Sequence, residues 1–104
     1  MTTKLSQSAR TDSLASLPEW QLVQGRDAIC RTLMFRNFNV AWAFMNQVAL
    51  YAESHQHHPE WLNVYNRVEI TLTTHDVDGL SDKDLQLARF IDAVYKQRYH
   101  VEST

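Results

Sequence analysis

The spacing of apolar residues changes along the chain, and each spacing predicts one type of element. Apolar and polar residues alternate over residues 28–35, with Arg31 as the charged residue on the otherwise apolar face. This alternation is typical of a strand that buries one face. Residues 20–23 read as a shorter strand, and a turn containing Gly25 separates the two. The two segments therefore predict an antiparallel strand pair.

A longer segment, residues 39–54, contains no Gly or Pro, and its apolar residues recur at helical spacing. Asn37 and Asn39 are both candidates for the residue that caps its start. Trp42, Ala49 and Leu50 lie outside the main apolar stripe, so this helix is apolar well beyond one face. Because a small domain has only one sheet on which the helix can lie, the outer residues predict a second buried surface, most simply another subunit.

Alternation returns after Pro59 and predicts two further strands. Leu62 and Val64 form one short apolar row, and a second row follows over residues 68–72. A tight turn at residues 65–66 would join them as a hairpin, although one bent strand has the same pattern. The last helix is predicted to begin with Ser81 as its N-cap and Asp84 as the third helical residue, the two ends of a capping box.

With a short helix at residues 6–16, the predicted order is α-β-β-α-β-β-α. This order predicts an α+β fold: a single two-layer sandwich with a four-stranded antiparallel sheet and helices packed on one face. We expect a flexible N-terminal tail at residues 1–12, one domain at 13–98 and a C-terminal tail at 99–104. A chain of 104 residues is too short to hold a second core.

Composition and charge exclude several classes of function. The net charge of −2, with no basic run, argues against direct nucleic-acid binding and against an anionic membrane surface. Cys30 is the only cysteine, so neither an intramolecular disulfide nor a cysteine metal cluster can form. The first thirteen residues lack the apolar core of a secretory signal, and no stretch approaches the roughly 20 apolar residues that span a bilayer. We therefore expect a cytoplasmic protein.

The segment that follows the long helix is rich in histidine. His55, His57 and His58 lie where the helix must end, because the residue before Pro59 is pushed out of the helical region. His75 follows the predicted hairpin. Imidazole is the side chain that gains and loses a proton most readily near neutral pH.

Glu53 precedes His57 by four residues, so we expect the two side chains to meet on the last helical turn. Three interpretations of the histidines remain open from the residues alone. They can be surface residues at a helix end. They can be metal ligands together with Glu53, although adjacent histidines rarely point the same way and no HExxH spacing is present. They can also form an acid–base site with Trp61 as an apolar wall.

The segments ESHQHHPEWLNVYN and VEITLTTHDVDGLSDKD, which begin at Glu53 and Val68, resemble the pterin-4a-carbinolamine dehydratase family. That family includes the dimerization cofactor of a homeodomain transcription factor. The resemblance runs over about residues 14–95. It is specific because several polar residues stand at the family's spacing: Glu53, His57, His58, Pro59, Tyr65, His75 and Asp84.

The resemblance implies dehydration of a 4a-hydroxytetrahydropterin to the quinonoid dihydropterin, which recycles the cofactor of aromatic amino-acid hydroxylases. It implies His57, His58 and His75 as catalytic residues, with His57 and His75 favoured for proton transfer and His58 for holding the pterin. Imidazoles suit both protonation of the departing hydroxyl and removal of a ring-nitrogen proton. No metal or cofactor is implied, since the pterin is the substrate.

Three further residues are predicted to bind the substrate or support the histidines: Glu53, Trp61 and Asp84. For Asp84 the capping role ranks first. The resemblance also implies a homodimer joined through its sheets or a homotetramer joined through the long helices, with a functional link to an aromatic amino-acid hydroxylase. The alternative function is a protein-interaction or dimerization module, such as a transcriptional coactivator, that uses the long helix and whose catalysis is secondary or vestigial.

Overall fold

The computed structural model describes residues 2–99 and confirms the predicted α+β order. The helices and strands, in chain order, are α1 (Gln7–Ala15), β1 (Gln21–Leu22), β2 (Ile29–Met34), α2 (Phe38–Ser54), β3 (Glu60–Val64), β4 (Arg67–Leu72) and α3 (Asp82–Val94). A 3₁₀ turn at His75–Val77 precedes α3, and a π-helical turn at Tyr95–Tyr99 follows it. None of the helices within residues 2–99 has the length and hydrophobicity needed to cross a membrane.

The four strands form one antiparallel sheet in the order β1-β2-β4-β3. β3 and β4 are the predicted hairpin, with Tyr65 in a left-handed conformation (φ 51°) at its turn. β1 is shorter than the predicted strand at 20–23. Because β4 is central and β3 lies at an edge, the ends of these strands bring the residues after α2 beside those before α3.

The core lies between one face of the sheet and the helices. Alternate residues of β2 and β4 point into it, as the period-two pattern predicts. Buried side chains of this cluster include Ile29, Leu33, Val68, Ile70 and Leu72 from the sheet and Phe44, Val48, Leu87 and Ile91 from α2 and α3.

Arg31, the charged residue on the apolar face of β2, has a specific partner. Its Nη1 donates a hydrogen bond to Asp92 Oδ1 on α3, and the same oxygen accepts from Trp20 Nε1 over 2.9 Å. The guanidinium also lies over the ring of Tyr95, 5.2 Å from its centroid. Because the Arg31 guanidinium pairs with the Asp92 carboxylate, its charge can lie on the core-facing side of the strand.

Helix α2 begins one residue earlier than predicted, because Asn37 and not Asn39 is its N-cap. The Asn37 side chain accepts a hydrogen bond from the Val40 amide over 2.9 Å. The outer face of α2 carries exposed apolar side chains, with Phe38, Trp42 and Leu50 respectively 44%, 53% and 74% exposed. Phe38 and Trp42 stack with ring centroids 6.2 Å apart. The apolar residues predicted to lie outside the core stripe are thus on the surface of the single chain.

The C-terminal end of α2 forms a Schellman motif. The His57 amide donates to the Ala52 carbonyl over 3.0 Å and the Gln56 amide to the Glu53 carbonyl over 3.2 Å. Gln56 has φ 55°, a left-handed conformation that glycine normally occupies. The chain therefore turns sharply away from the helix axis at Gln56, just before the two adjacent histidines.

The segment predicted as an N-terminal tail, residues 1–12, contains the first turns of α1, which Ser6 caps by accepting a hydrogen bond from the Ala9 amide over 3.1 Å. The helix predicted at residues 6–16 is confirmed. Lys4 forms an isolated antiparallel bridge with Ser81. The flexibility of this segment stays a prediction, and residues 100–104 of the predicted C-terminal tail lie outside the described residues.

Asp27 connects α1 to the loop before α3. Its Oδ2 accepts hydrogen bonds from Arg10 Nη2 over 2.7 Å and from the Leu80 amide over 3.1 Å. A Cβ atom placed on Gly79 would collide with this oxygen and would lie only 2.6 Å from Lys4 Cε. Gly79 is therefore required by the close approach of the Asp27 carboxylate.

We expect Gln56→Gly to raise the free energy of unfolding by about 1 kcal/mol, because glycine adopts the left-handed conformation without the penalty of a Cβ atom. Denaturant unfolding measures the change. The control is Ala43→Gly, also at an exposed position of the same segment but in the helix interior, which should lower stability by about 1 kcal/mol. Equal destabilisation by both substitutions would contradict this account of the helix end.

Candidate active site

The structure brings the three predicted histidines to one cavity of about 150 Å³. The cavity lies where the end of α2, the end of β4 and the start of α3 meet. Its walls are Gln56, His57, His58, Thr73, Thr74, His75, Asp76 and Lys83. The predicted proximity is therefore found in the fold, while the catalytic roles of these residues stay predictions.

His57 is held by a buried carboxylate. Its Nε2 donates to Asp84 Oδ1 over 2.6 Å, and the His57 and Asp84 side chains are 10% and 0% exposed. Because the Nε2–H is used in this bond, Nδ1 is the proton acceptor of the neutral ring. The ring therefore has one tautomer and one orientation favoured by the protein.

Asp84 also forms the predicted capping box of α3. Its Oδ2 accepts from the Ser81 amide over 3.0 Å and from Thr74 Oγ1 over 2.8 Å, and the Ser81 side chain accepts in return at the first helical turn. Thr74 Oγ1 and Ser81 Oγ lie 2.6 Å apart. Both Asp84 oxygens are thus occupied by protein donors, which is the condition for burying a carboxylate at low cost.

The expected pairing of Glu53 with His57 is wrong. Glu53 Oε1 instead accepts from His58 Nε2 over 2.8 Å, with side chains that are 74% and 59% exposed. An i,i+4 contact between Glu53 and His57 requires the helix to continue to His57, but α2 ends at Ser54. The left-handed Gln56 turns the chain first, so His57 points inward to Asp84 and His58 lies beside Glu53.

His75 is the first residue of the 3₁₀ turn, and its side chain is 80% exposed. Its Nε2 lies 3.8 Å from Glu60 Oε2. Arg26 donates two hydrogen bonds to Glu60, from Nη1 to Oε1 over 2.9 Å and from Nη2 to Oε2 over 2.8 Å. These hydrogen bonds, together with the charge of Arg26 and, more weakly, of His75, lower the pKa of the Glu60 carboxyl in spite of slight burial.

Sequence reasoning missed Arg26 and Glu60. They are separated by 34 positions and meet only because the β1–β2 turn lies beside the start of β3. The local signal that existed was a charged residue, Glu60, directly after Pro59 and beside the histidine pair. No spacing rule joins it to an arginine in a distant turn.

Trp61 is not among the side chains that line this cavity. It lies on β3 opposite Ile70 and packs, partly buried, against the hydrophobic core. Since residues alternate between the two faces of a strand, Trp61 and Glu60 point to opposite sides. Trp61 therefore does not form the predicted apolar wall of the histidine cavity.

Within residues 2–99, no group of three or more histidine, cysteine, aspartate or glutamate side chains is arranged to hold a metal ion. Each cavity histidine instead lies near a carboxylate of its own. Cys30 is a free thiol on β2.

Residues 3–94 match the sequence model of the family described as pterin 4 alpha carbinolamine dehydratase. A protein of Burkholderia multivorans named as a pterin-4-alpha-carbinolamine dehydratase is 55% identical over 94 residues, which cover 90% of this chain and 92% of that protein. A protein of Novosphingobium aromaticivorans with the same name is 56% identical over 90 residues, covering 86% and 94%.

A solved structure has the same fold. The crystal structure described as a transcriptional coactivator/pterin dehydratase from Brucella melitensis superposes with a TM-score of 0.86 at 46% sequence identity. The match covers 88% of this chain and 98% of that one. The order of helices and the four-stranded sheet are therefore those of a known pterin dehydratase fold.

We expect Asp84→Ala to lower the free energy of unfolding by about 3–5 kcal/mol, because His57, Thr74 and the Ser81 amide lose their buried acceptor. The control is Asp82→Ala in the same helical turn. Asp82 is exposed and accepts only a surface hydrogen bond from Gln86, so its loss should cost less than about 1 kcal/mol. Urea unfolding of both variants checks the difference, and equal midpoints would contradict the role given to the buried network.

Proposed function

The chain belongs to the pterin-4a-carbinolamine dehydratase family, and from this membership we propose that it removes water from a 4a-hydroxytetrahydropterin to give the quinonoid dihydropterin. The observation that carries the proposal is the convergence of His57, His58 and His75 on one cavity. The reaction needs an acid for the departing hydroxyl and a base for a ring nitrogen. Imidazoles on a shared cavity can supply both.

The reaction proceeds by breaking the bond between C4a and the hydroxyl oxygen. The lone pair of the adjacent ring nitrogen forms the new C=N bond, while an imidazolium gives its proton to the hydroxyl, which leaves as water. A second imidazole accepts the proton that a ring nitrogen loses. Because the electrons come from the substrate's own nitrogen, the proposed reaction requires no metal, redox cofactor or covalent intermediate.

We assign proton transfer to His57 and His75 and substrate holding to His58. His57 suits proton transfer because Asp84 fixes its ring and leaves Nδ1 as the acceptor. His58 is more exposed and is oriented by Glu53, which we expect to reach the edge of the pterin. Asp84 is fully buried among protein donors, so it acts through His57 and not by touching substrate.

The carbinolamine is the product of oxygen transfer from a tetrahydropterin during aromatic amino-acid hydroxylation. We therefore propose that the enzyme serves a hydroxylase of that class by recycling its pterin. The proposal requires only that this enzyme acts on the pterin that the hydroxylase releases. It requires no direct contact between the two proteins.

We expect His57→Ala and His75→Ala each to lower kcat by about 10²–10⁴-fold, as is usual when a general acid or base is removed. The assay generates the 4a-hydroxytetrahydropterin in situ and follows its dehydration optically. His55→Ala is the matched control, because His55 stacks on Tyr51 (ring centroids 3.8 Å apart) and does not line the cavity.

A wild-type rate equal to the spontaneous rate would disprove the proposed activity. Adding a chelator tests the metal interpretation separately, since the histidine mechanism predicts an unchanged rate. Loss of activity in His55→Ala equal to that in His57→Ala would show that the loss does not come from the cavity.

The exposed face of α2 supports a second proposal, self-association. Phe38, Trp42 and Leu50 lie within about 120° of arc on this helix, outside the arc of the residues that enter the core. Exposed aromatic and aliphatic side chains grouped on one helix face are typical of a subunit interface. We propose that a second copy of this chain covers the face, in a dimer or tetramer. A different protein partner on the same face is the alternative, and the Brucella protein is named a coactivator as well as a dehydratase.

We expect the wild type to sediment as a species larger than the 12.1 kDa chain and Trp42→Glu to shift it toward that mass. Leu22→Glu is the control, because Leu22 on β1 is 52% exposed, almost as Trp42 is at 53%. Sedimentation velocity measures the wild type, these two variants and Leu62→Glu. If the assembly survives Trp42→Glu but is lost in Leu62→Glu, the interface lies on the edge strand β3 and not on α2. A monomeric wild type would contradict self-association and would favour a different protein partner for the exposed face of α2.

A further inference from the structure

Each of the three cavity histidines has a carboxylate near its Nε2 atom. The distances are 2.6 Å for His57 and Asp84, 2.8 Å for His58 and Glu53, and 3.8 Å for His75 and Glu60. The first two carboxylates belong to the recognised motif. Glu60 does not, and the structure alone brings it to the third histidine.

Glu60 cannot move freely, because Arg26 binds both of its carboxylate oxygens. A bidentate pair of this type fixes the plane of the carboxylate as well as its position. The hydrogen bonds from Arg26 also lower the pKa of the Glu60 carboxyl. The oxygen nearest His75 is therefore a fixed negative charge in the neutral pH range.

His75 needs such a partner more than the other two histidines do. Its side chain is 80% exposed, against 10% for His57. Together with Thr73 it lines both the histidine cavity and a second cavity of about 280 Å³ on the side of Arg26. The ring therefore has open space on two sides, and packing does not set its orientation.

We propose that Glu60, held by Arg26, is the positioning residue of His75. The inference rests on the proposed function and assigns the following arrangement to the protein in solution, both before and during turnover. A rotation of the His75 ring closes the 3.8 Å separation to a hydrogen bond, with Nε2–H donating to Glu60 Oε2. Nδ1 then faces the substrate and exchanges the proton, while Glu60 stays ionised throughout. Each of the two proton-transfer histidines thus has one nitrogen bonded to a carboxylate and the other available to the pterin.

The test compares two exposed ion pairs of the same sheet. Glu60 and Arg26 are 41% and 45% exposed, and Glu69 and Arg67 on β4 are 42% and 43% exposed with 3.4 Å between their charged atoms. We expect Glu60→Gln to lower kcat roughly tenfold with KM changed less than about twofold, because orientation of a proton-transfer group affects the chemical step. Glu69→Gln should leave both constants at the wild-type values. Since exposed ion pairs add little stability, neither variant should unfold, and thermal unfolding checks this.

Two further variants separate positioning from a structural effect. Glu60→Asp keeps the charge and should recover part of the lost kcat. Arg26→Met removes the group that holds the carboxylate and should lower kcat less than Glu60→Gln does. The double variant should be no slower than Glu60→Gln alone, because Arg26 acts through Glu60.

A second readout does not depend on turnover. In ¹⁵N NMR of the neutral ring, the share of the His75 tautomer that carries the proton on Nε2 should fall in Glu60→Gln and stay unchanged in Glu69→Gln. An unchanged kcat together with an unchanged tautomer share in Glu60→Gln overturns the inference, as does a rise in KM alone. An inactive wild type in which the tautomer share still depends on Glu60 would support the positioning contact while disproving the proposed function.

Discussion

The buried carboxylate of Asp84 is the interaction on which the other features of the site depend. It caps the first turn of α3, accepts from Thr74 at the end of β4, and holds His57 at the end of α2. His57 lies 27 residues before Asp84 and Thr74 lies 10 residues before it, and one side chain with no solvent exposure fixes the separation of the three segments. A carboxylate in such a place is stable only when all of its hydrogen bonds are made. The same requirement that stabilises the fold therefore positions the ring of His57.

The three histidines differ in how firmly the protein holds them. His57 is buried and bonded, His58 is bonded at the surface, and His75 lies on a short exposed turn beside a carboxylate that it does not yet reach. The cavity is therefore fixed on the side of His57 and adjustable on the side of His75. On the adjustable side, Arg26 holds the Glu60 carboxylate at the surface. On the fixed side, a buried hydrogen-bond network holds the Asp84 carboxylate.

Local patterns were sufficient for most of the fold. The helical spacing of α2, the alternation in β4 and the capping box at Ser81 each depend on neighbours within a few residues, and each was confirmed. The site could be predicted only in part. The histidines were identified by spacing, but the partner of Glu53 was wrong because one left-handed residue, Gln56, redirects the chain. The contact between Arg26 and Glu60 depends on sheet topology, which no local pattern contains.

The packing of Gly79 against Asp27 makes the residues that fit at these two positions depend on each other. The Asp27 oxygen that accepts from Arg10 and Leu80 occupies the space that a side chain at position 79 would need. A larger residue at 79 is compatible with the fold only if the residue at 27 becomes smaller, and that change would release α1 from the loop that carries His75. A redesign of this loop therefore has to choose the residues at positions 27 and 79 together.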